Sequence, residues 1–138
     1  MTRRTAPPAG WPPPEGALLD GAEVALGPLC EQIAVRYFER FPEDLGRYGA
    51  DVARAWELHD TRYVLSWAIG AVDGRVDLDR EITWLARVLD SRGFPLEHLA
   101  ANLDLSADVA SELLDGGGRV AERLRAAATL VRRTPSLR

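Results

Sequence analysis

Apolar residues along Asp51–Val72 (DVARAWELHDTRYVLSWAIGAV) recur with helical spacing, but they fall on two sides of the helix instead of one. At 3.6 residues per turn, Trp56, Asp60, Tyr63 and Trp67 lie within about 60° of one another with His59 at their edge, while Leu58, Leu65, Ile69 and Val72 gather on the opposite side. A surface helix needs a single apolar stripe. This one is therefore predicted to be packed into a core by its aliphatic side and to border a cavity or a partner by its aromatic, partly polar side.

The same reading orders the rest of the chain. Met1 to Gly16 carries five of the nine prolines, so residues 1–16 are expected to be an extended or disordered lead-in, with Trp11 either docked on the body or solvated. A helical pattern begins near Ala17 and is interrupted at Gly27-Pro28, where Pro28 suits the first turn of a new helix that points Leu29, Ile33, Tyr37 and Phe38 at the core. It stops at Phe41-Pro42, and a short turn containing Gly46 and Gly49 leads into the long helix. A further helix is predicted over Leu78–Ser91 with Gly93 as its stop, and Pro95 opens another that ends at Gly116–Gly118, with a restart or kink at Asp104–Ser106. A last amphipathic helix runs to about Arg132. No alternating pattern bounded by hairpin signals is read, so residues 17–134 are expected to form one all-α domain of six or seven helices.

Composition narrows the function classes. A chain of 138 residues, 46% of them hydrophobic, is one domain with a real core. A net charge of −4 gives no field to attract nucleic acid, and the pairs Arg3-Arg4 and Arg132-Arg133 sit at the chain ends. No apolar run approaches the roughly 18 residues that span a bilayer, and prolines stand where a signal peptide would be hydrophobic, so a soluble cytoplasmic protein is expected. All 17 basic residues are arginine; without lysine, Schiff-base chemistry and a lysine-dependent phosphate loop are excluded. The single cysteine, Cys30, lies on an apolar helical register and reads as a buried thiol, although covalent attachment of a ligand there is the other reading. Gly-x-Ser-x-Gly and His-Glu-x-x-His motifs are absent, Gly116–Gly118 reads as a linker, and the run Asp73, Asp77, Asp79, Glu81 reads as helix-start chemistry; the chain is expected not to be an enzyme.

The order of elements looks like a globin. RYFERFPEDLGRYG, from Arg36 to Gly49, resembles the corner where a globin's second helix meets its short third one, with the aromatic helix in the distal place and Leu78–Ser91 in the proximal place. RYG at Arg47–Gly49, HDTRYVLSW at His59–Trp67 and ITWLARVLDSRGFPLEHL at Ile82–Leu99 more closely resemble the globin-like domain of photoglobins, non-haem globins usually joined to a cobalamin-binding domain in bacterial signalling proteins. The resemblance covers Leu26 to Leu114 and implies a globin-like bundle and a sensory role. This chain reads Tyr63-Val64-Leu65 where members often have Tyr-His-Leu, and it has no Asp-x-His-x-x-Gly cobalt-ligating motif, so any cobalamin would be presented by another chain.

The expected site follows from the aromatic face. Trp56, Tyr63, Trp67 and Trp84 either fill a core or form a cofactor box, and His59, Asp60, Arg62 and Arg87 beside them suit the pyrrole nitrogens and propionates of a linear or cyclic tetrapyrrole, a bilin or cobalamin. Ordinary surface ion pairs account for the same charges. Conventional haem is disfavoured because Leu78–Ser91 has no histidine, which leaves His59 as the one distal-like ligand; His59 and His98 both also read as ordinary hydrogen-bonded histidines. The expectation is a non-enzymatic sensory module, homodimeric through the apolar pattern of Leu113–Val131, with a cobalamin-binding or other signalling protein as partner. The alternatives are a dimeric interaction module without any ligand and a haem globin using His59.

Overall fold

The computed structural model describes residue 7 and residues 12–136. Trp11, with most of the proline-rich lead-in, lies outside them. The region expected to start a helix at Ala17 is instead a β-hairpin: β1 (Gly16–Leu19) pairs antiparallel with β2 (Ala22–Ala25), Leu19 opposite Ala22 and Gly16 opposite Ala25. Asp20 and Gly21 have φ of 52° and 80°, the left-handed pair of a two-residue type I′ turn, for which Asp-Gly is a preferred sequence. Strands of four residues are too short for their alternation to stand out. Leu19 faces the core while Leu18 is exposed.

Six helices follow, so the all-α expectation holds for the bulk of the chain. α1 (Leu26–Arg40) has Pro28 in its first turn, where the missing N–H is not needed, and buries Leu29, Ile33, Tyr37 and Phe38 as predicted. Phe41 ends it by donating its N–H to the Tyr37 carbonyl. The stretch read as a turn is a helix, α2 (Pro42–Tyr48): Pro42 sets the first φ, and Glu43 and Asp44 suit its N-terminus, while Gly46 points at open space and disturbs nothing. Gly49, at φ 86°, joins it to the long helix α3 (Ala50–Val72).

α4 (Leu78–Ser91) begins at Asp77, whose carboxylate accepts the Arg80 N–H at 3.2 Å, so the acidic run caps a helix and Asp73 pairs with Arg75. Gly93, at φ 79°, provides the expected stop. α5 (Leu96–Leu113) runs without a break through Asp104–Ser106. α6 (Gly117–Arg133) returns antiparallel to it, with Arg125 beside Asp108 and Arg132 beside Asp104 and Glu97. The two helices touch at Gly117, where a Cβ would stand 1.9 Å from the Ala110 carbonyl oxygen.

Ile33, Leu65, Ile69, Ile82, Leu103 and Leu124 from five helices are fully buried in one core. Val120, Leu124, Ala127, Ala128 and Val131 of α6 belong to that core, so most of the apolar pattern expected to form a dimer surface is buried within the chain itself. The exposed large apolar side chains among the described residues are Leu18, Val35, Trp84 and Leu113. Just ahead of the hairpin the chain is held down: the Arg62 guanidinium donates to the carbonyls of Pro14 at 3.1 Å and Pro13 at 3.0 Å, and Pro13 is buried. None of the described helices is long and apolar enough to cross a membrane.

Candidate functional site

α3 has extensive neighbours in α1, α2, α6 and β1, but it meets α4 much less, and the space between α3 and α4 is an open cleft of about 660 Å³. Trp56, His59, Asp60, Tyr63 and Trp67 form one wall, and Arg80, Glu81, Trp84, Leu85 and Val88 form the other, with Arg92 at the end of α4. The aliphatic side of α3 carries Leu65 and Ile69 into the core, so the double face read in the sequence is the difference between core and cleft.

Along the α3 wall the rings follow one another at helical spacing. Trp56 and His59 meet edge-on with centroids 5.2 Å apart, His59 and Tyr63 meet edge-on at 5.3 Å, and Tyr63 and Trp67 are tilted at 6.0 Å. His59 Nδ1 lies 2.9 Å from Asp60 Oδ1, which fixes the orientation of the imidazole. Opposite them, Trp84 is 57% exposed, so its ring projects from α4 without a core of its own. Six of the seven residues expected at the site thus line one space. The seventh, Arg62, does not: its position on α3 turns it away from the rings, and its guanidinium holds the Pro13–Pro14 segment instead. Arg87 is exposed and outside the cleft, and Arg80 and Arg92 supply the guanidinium groups that line it.

Beside the cleft lies a second, smaller pocket of about 60 Å³ that the sequence-based expectations did not include. Trp56, Asp60, Leu85 and Arg92 line both spaces. The smaller pocket is mostly apolar, with polar groups among and beside its lining residues. The Tyr37 hydroxyl donates to Asp44 Oδ2 at 2.6 Å, and His98 Nδ1 lies 3.0 Å from the same oxygen while its ring stacks on Phe41. Asn102 donates from Nδ2 to the Thr61 hydroxyl at 3.2 Å, and Thr61 donates to Glu57 Oε2 at 3.1 Å. Burial pushes the Glu57 carboxyl up to about 8, with the Asp60 and Asp44 charges adding to the rise, so it is largely uncharged at neutral pH. Burial and the Asp44 bond raise the Tyr37 phenol well above its ordinary range, so it stays a donor.

The missed residues had a faint signal. Ala53, Glu57 and Thr61 recur four apart between the two faces of α3, on the stripe that also carries Val64 and Ala68 and is buried throughout. Asp44 was hidden by reading its helix as a turn. Cys30 is fully buried and its thiol is pushed up to about 12, chiefly by desolvation, so it is a core side chain without nucleophilic character. Among the described residues no three His, Cys, Asp or Glu side chains converge as metal ligands. The arrangement suits the binding of a flat, conjugated molecule between aromatic walls, with His59 and Asp60 on one wall and guanidinium groups on the other. Compared with known proteins, the chain matches no family model, no curated protein and no solved structure.

Proposed function

We propose that this chain is a non-enzymatic, globin-like sensory module that binds a tetrapyrrole-type ligand in the cleft between α3 and α4. The observation that carries the reading is the composition of that cleft: about 660 Å³ between a Trp56–His59–Tyr63–Trp67 ladder and the exposed Trp84. Such a slot is large enough for a molecule of tetrapyrrole size and has aromatic side chains on both walls. Asp60 and His59 suit pyrrole N–H groups, and Arg80 and Arg92 suit propionates, which guanidinium binds in a forked geometry. The globin-like part of the reading rests on the helix order, in which α1 and α2 meet at Phe41-Pro42, α3 and α4 flank the site, and α5 and α6 complete the bundle, with the hairpin standing where a globin's first helix would be. The resemblance to photoglobins favours a bilin bound directly or a cobalamin presented by a partner chain.

A bilin fits these residues better than conventional haem, because no histidine stands on α4 to take the proximal position. A haem reading keeps one supporting observation, the carboxylate of Asp60 against His59 Nδ1, which leaves the other ring nitrogen facing a ligand role. The interaction module without a ligand is supported by the exposed Trp84 and Leu113.

A visible-absorbance titration of the purified protein with biliverdin, haem and cobalamin separates these readings. The expected result is a saturable shift with biliverdin that travels with the protein on size exclusion, weakened at least ten-fold by Trp67→Ala and by Asp60→Asn. A haem shift abolished by His59→Ala would select the haem globin, and no shift with any of the three would leave the interaction module.

A further inference from the structure

The small pocket beside the cleft is walled mainly by apolar side chains, among them Phe38, Val64, Leu89, Phe94 and Leu99. Its volume of about 60 Å³ is several times the roughly 10–15 Å³ that one water occupies on the same measure, so it has room for a short hydrocarbon branch but not for a tetrapyrrole itself. Polar groups on its wall are turned to one another or to their neighbours: Tyr37 donates to Asp44, Asn102 donates to Thr61, and Asp60 is met by His59. Arg92 differs. It is half-buried where the pocket and the cleft meet, and among the described residues its guanidinium has no hydrogen bond or ion pair. A guanidinium carries five N–H donors and no acceptor, in a fork that matches a carboxylate, so one left unmet between two open spaces is preset for an acid group.

The two ends of the cleft are not alike. Trp56 and Arg92 border the small pocket, whereas Trp67 and Arg80 do not. Arg80 is exposed and stands about 18 Å from Arg92 along α4. We propose that the cleft and the small pocket are two compartments of one site: Arg92 holds an acid group of the ligand at their junction, the conjugated plate lies along the wall from Trp56 to Trp67, and a short alkyl or vinyl branch beside the acid arm enters the pocket. This rests on the cleft reading above and adds what selects among ligands. The preferred one is a conjugated carboxylic acid with an apolar branch next to its acid arm, anchored at the Arg92 end; a plate of the same size with its acid groups esterified is a poorer ligand.

The test uses the full chain in two arms. In the first, absorbance titrations compare biliverdin with its dimethyl ester on the parent, Arg92→Gln and Arg80→Gln. Arg92→Gln is expected to weaken biliverdin about ten-fold or more and to leave the ester within about two-fold, while Arg80→Gln changes either by less than about three-fold. Should Arg92→Gln not fold, the parent decides: the ester is expected to bind about ten-fold more weakly than biliverdin or worse. The second arm is methyl-detected NMR under xenon pressure, with xenon as the apolar probe of the pocket. Saturable shifts of the Val64, Leu89 and Leu99 methyls are expected in the free protein and should disappear when it is saturated with biliverdin. Biliverdin binding that ignores Arg92, or a xenon response that is absent from the free protein or unchanged by bound biliverdin, would overturn the proposal and leave the cleft reading standing. No absorbance shift with biliverdin would overturn the cleft reading and the proposal with it.

Discussion

Glu57 shows how one side chain couples the interior to pH. Its carboxyl titrates near 8 in the folded chain against an ordinary 4.5, because the charged form would be desolvated. Between those two values the folded chain holds a proton that the unfolded chain has released, so stability falls as pH rises from about 4.5 to about 8 and levels off above. Replacing the carboxyl by an amide, Glu57→Gln, keeps the acceptor for Thr61 and removes the ionisation. Urea unfolding at pH 6 and pH 9 should show the variant gaining on the parent by on the order of 3 kcal/mol between the lower pH and the higher. Equal losses at both values would mean that Glu57 is ionised in the fold. Periodicity marks this residue only faintly, since a glutamate between two apolar faces reads as solvated until the neighbouring helices are in place.

At the scale of elements, the sequence was legible where one rule dominated. The bounds of α4 follow from Asp77 at the start and Gly93 past the end, and α1 follows from Pro28 and Phe41-Pro42, because capping and proline chemistry are local. The hairpin is hard to read because its only strong signal is the dipeptide Asp20-Gly21, and α2 because it is seven residues long and contains Gly46. Five cleft side chains on α3 were legible from their spacing, whereas Arg80 and Arg92 depend on how α4 is set against α3, which no local pattern encodes. α5 and α6 approach closely at Gly117, where a methyl group would strike the Ala110 carbonyl. Gly117→Ala should therefore cost roughly 1–3 kcal/mol in chemical denaturation, despite the better helix propensity of alanine. Gly118→Ala, with open space around its Cβ position, is the control and should be neutral or mildly stabilising.

Across the whole molecule, one core joins five helices and the hairpin residue Leu19, which predicts cooperative unfolding. Cys30 reports on it: a fully exposed thiol reacts within seconds to minutes with a disulfide reagent, whereas this one is sealed under that core. Its labelling in native buffer should be slow and should accelerate with urea in parallel with loss of helical circular dichroism; rapid labelling without urea would reveal a local opening around α1. The cleft borders that core at Leu85 and Trp67 and is open on its other side, so a ligand can enter without the bundle coming apart. Trp56, Trp67 and Trp84 all line it, and the remaining tryptophan, Trp11, precedes the described body. The indole emission of the folded part therefore originates around a single space, and any visible-absorbing occupant would sit within energy-transfer range of every one of those donors. The protein carries its own optical reporter, with no dye to attach and no lysine through which a dye would attach.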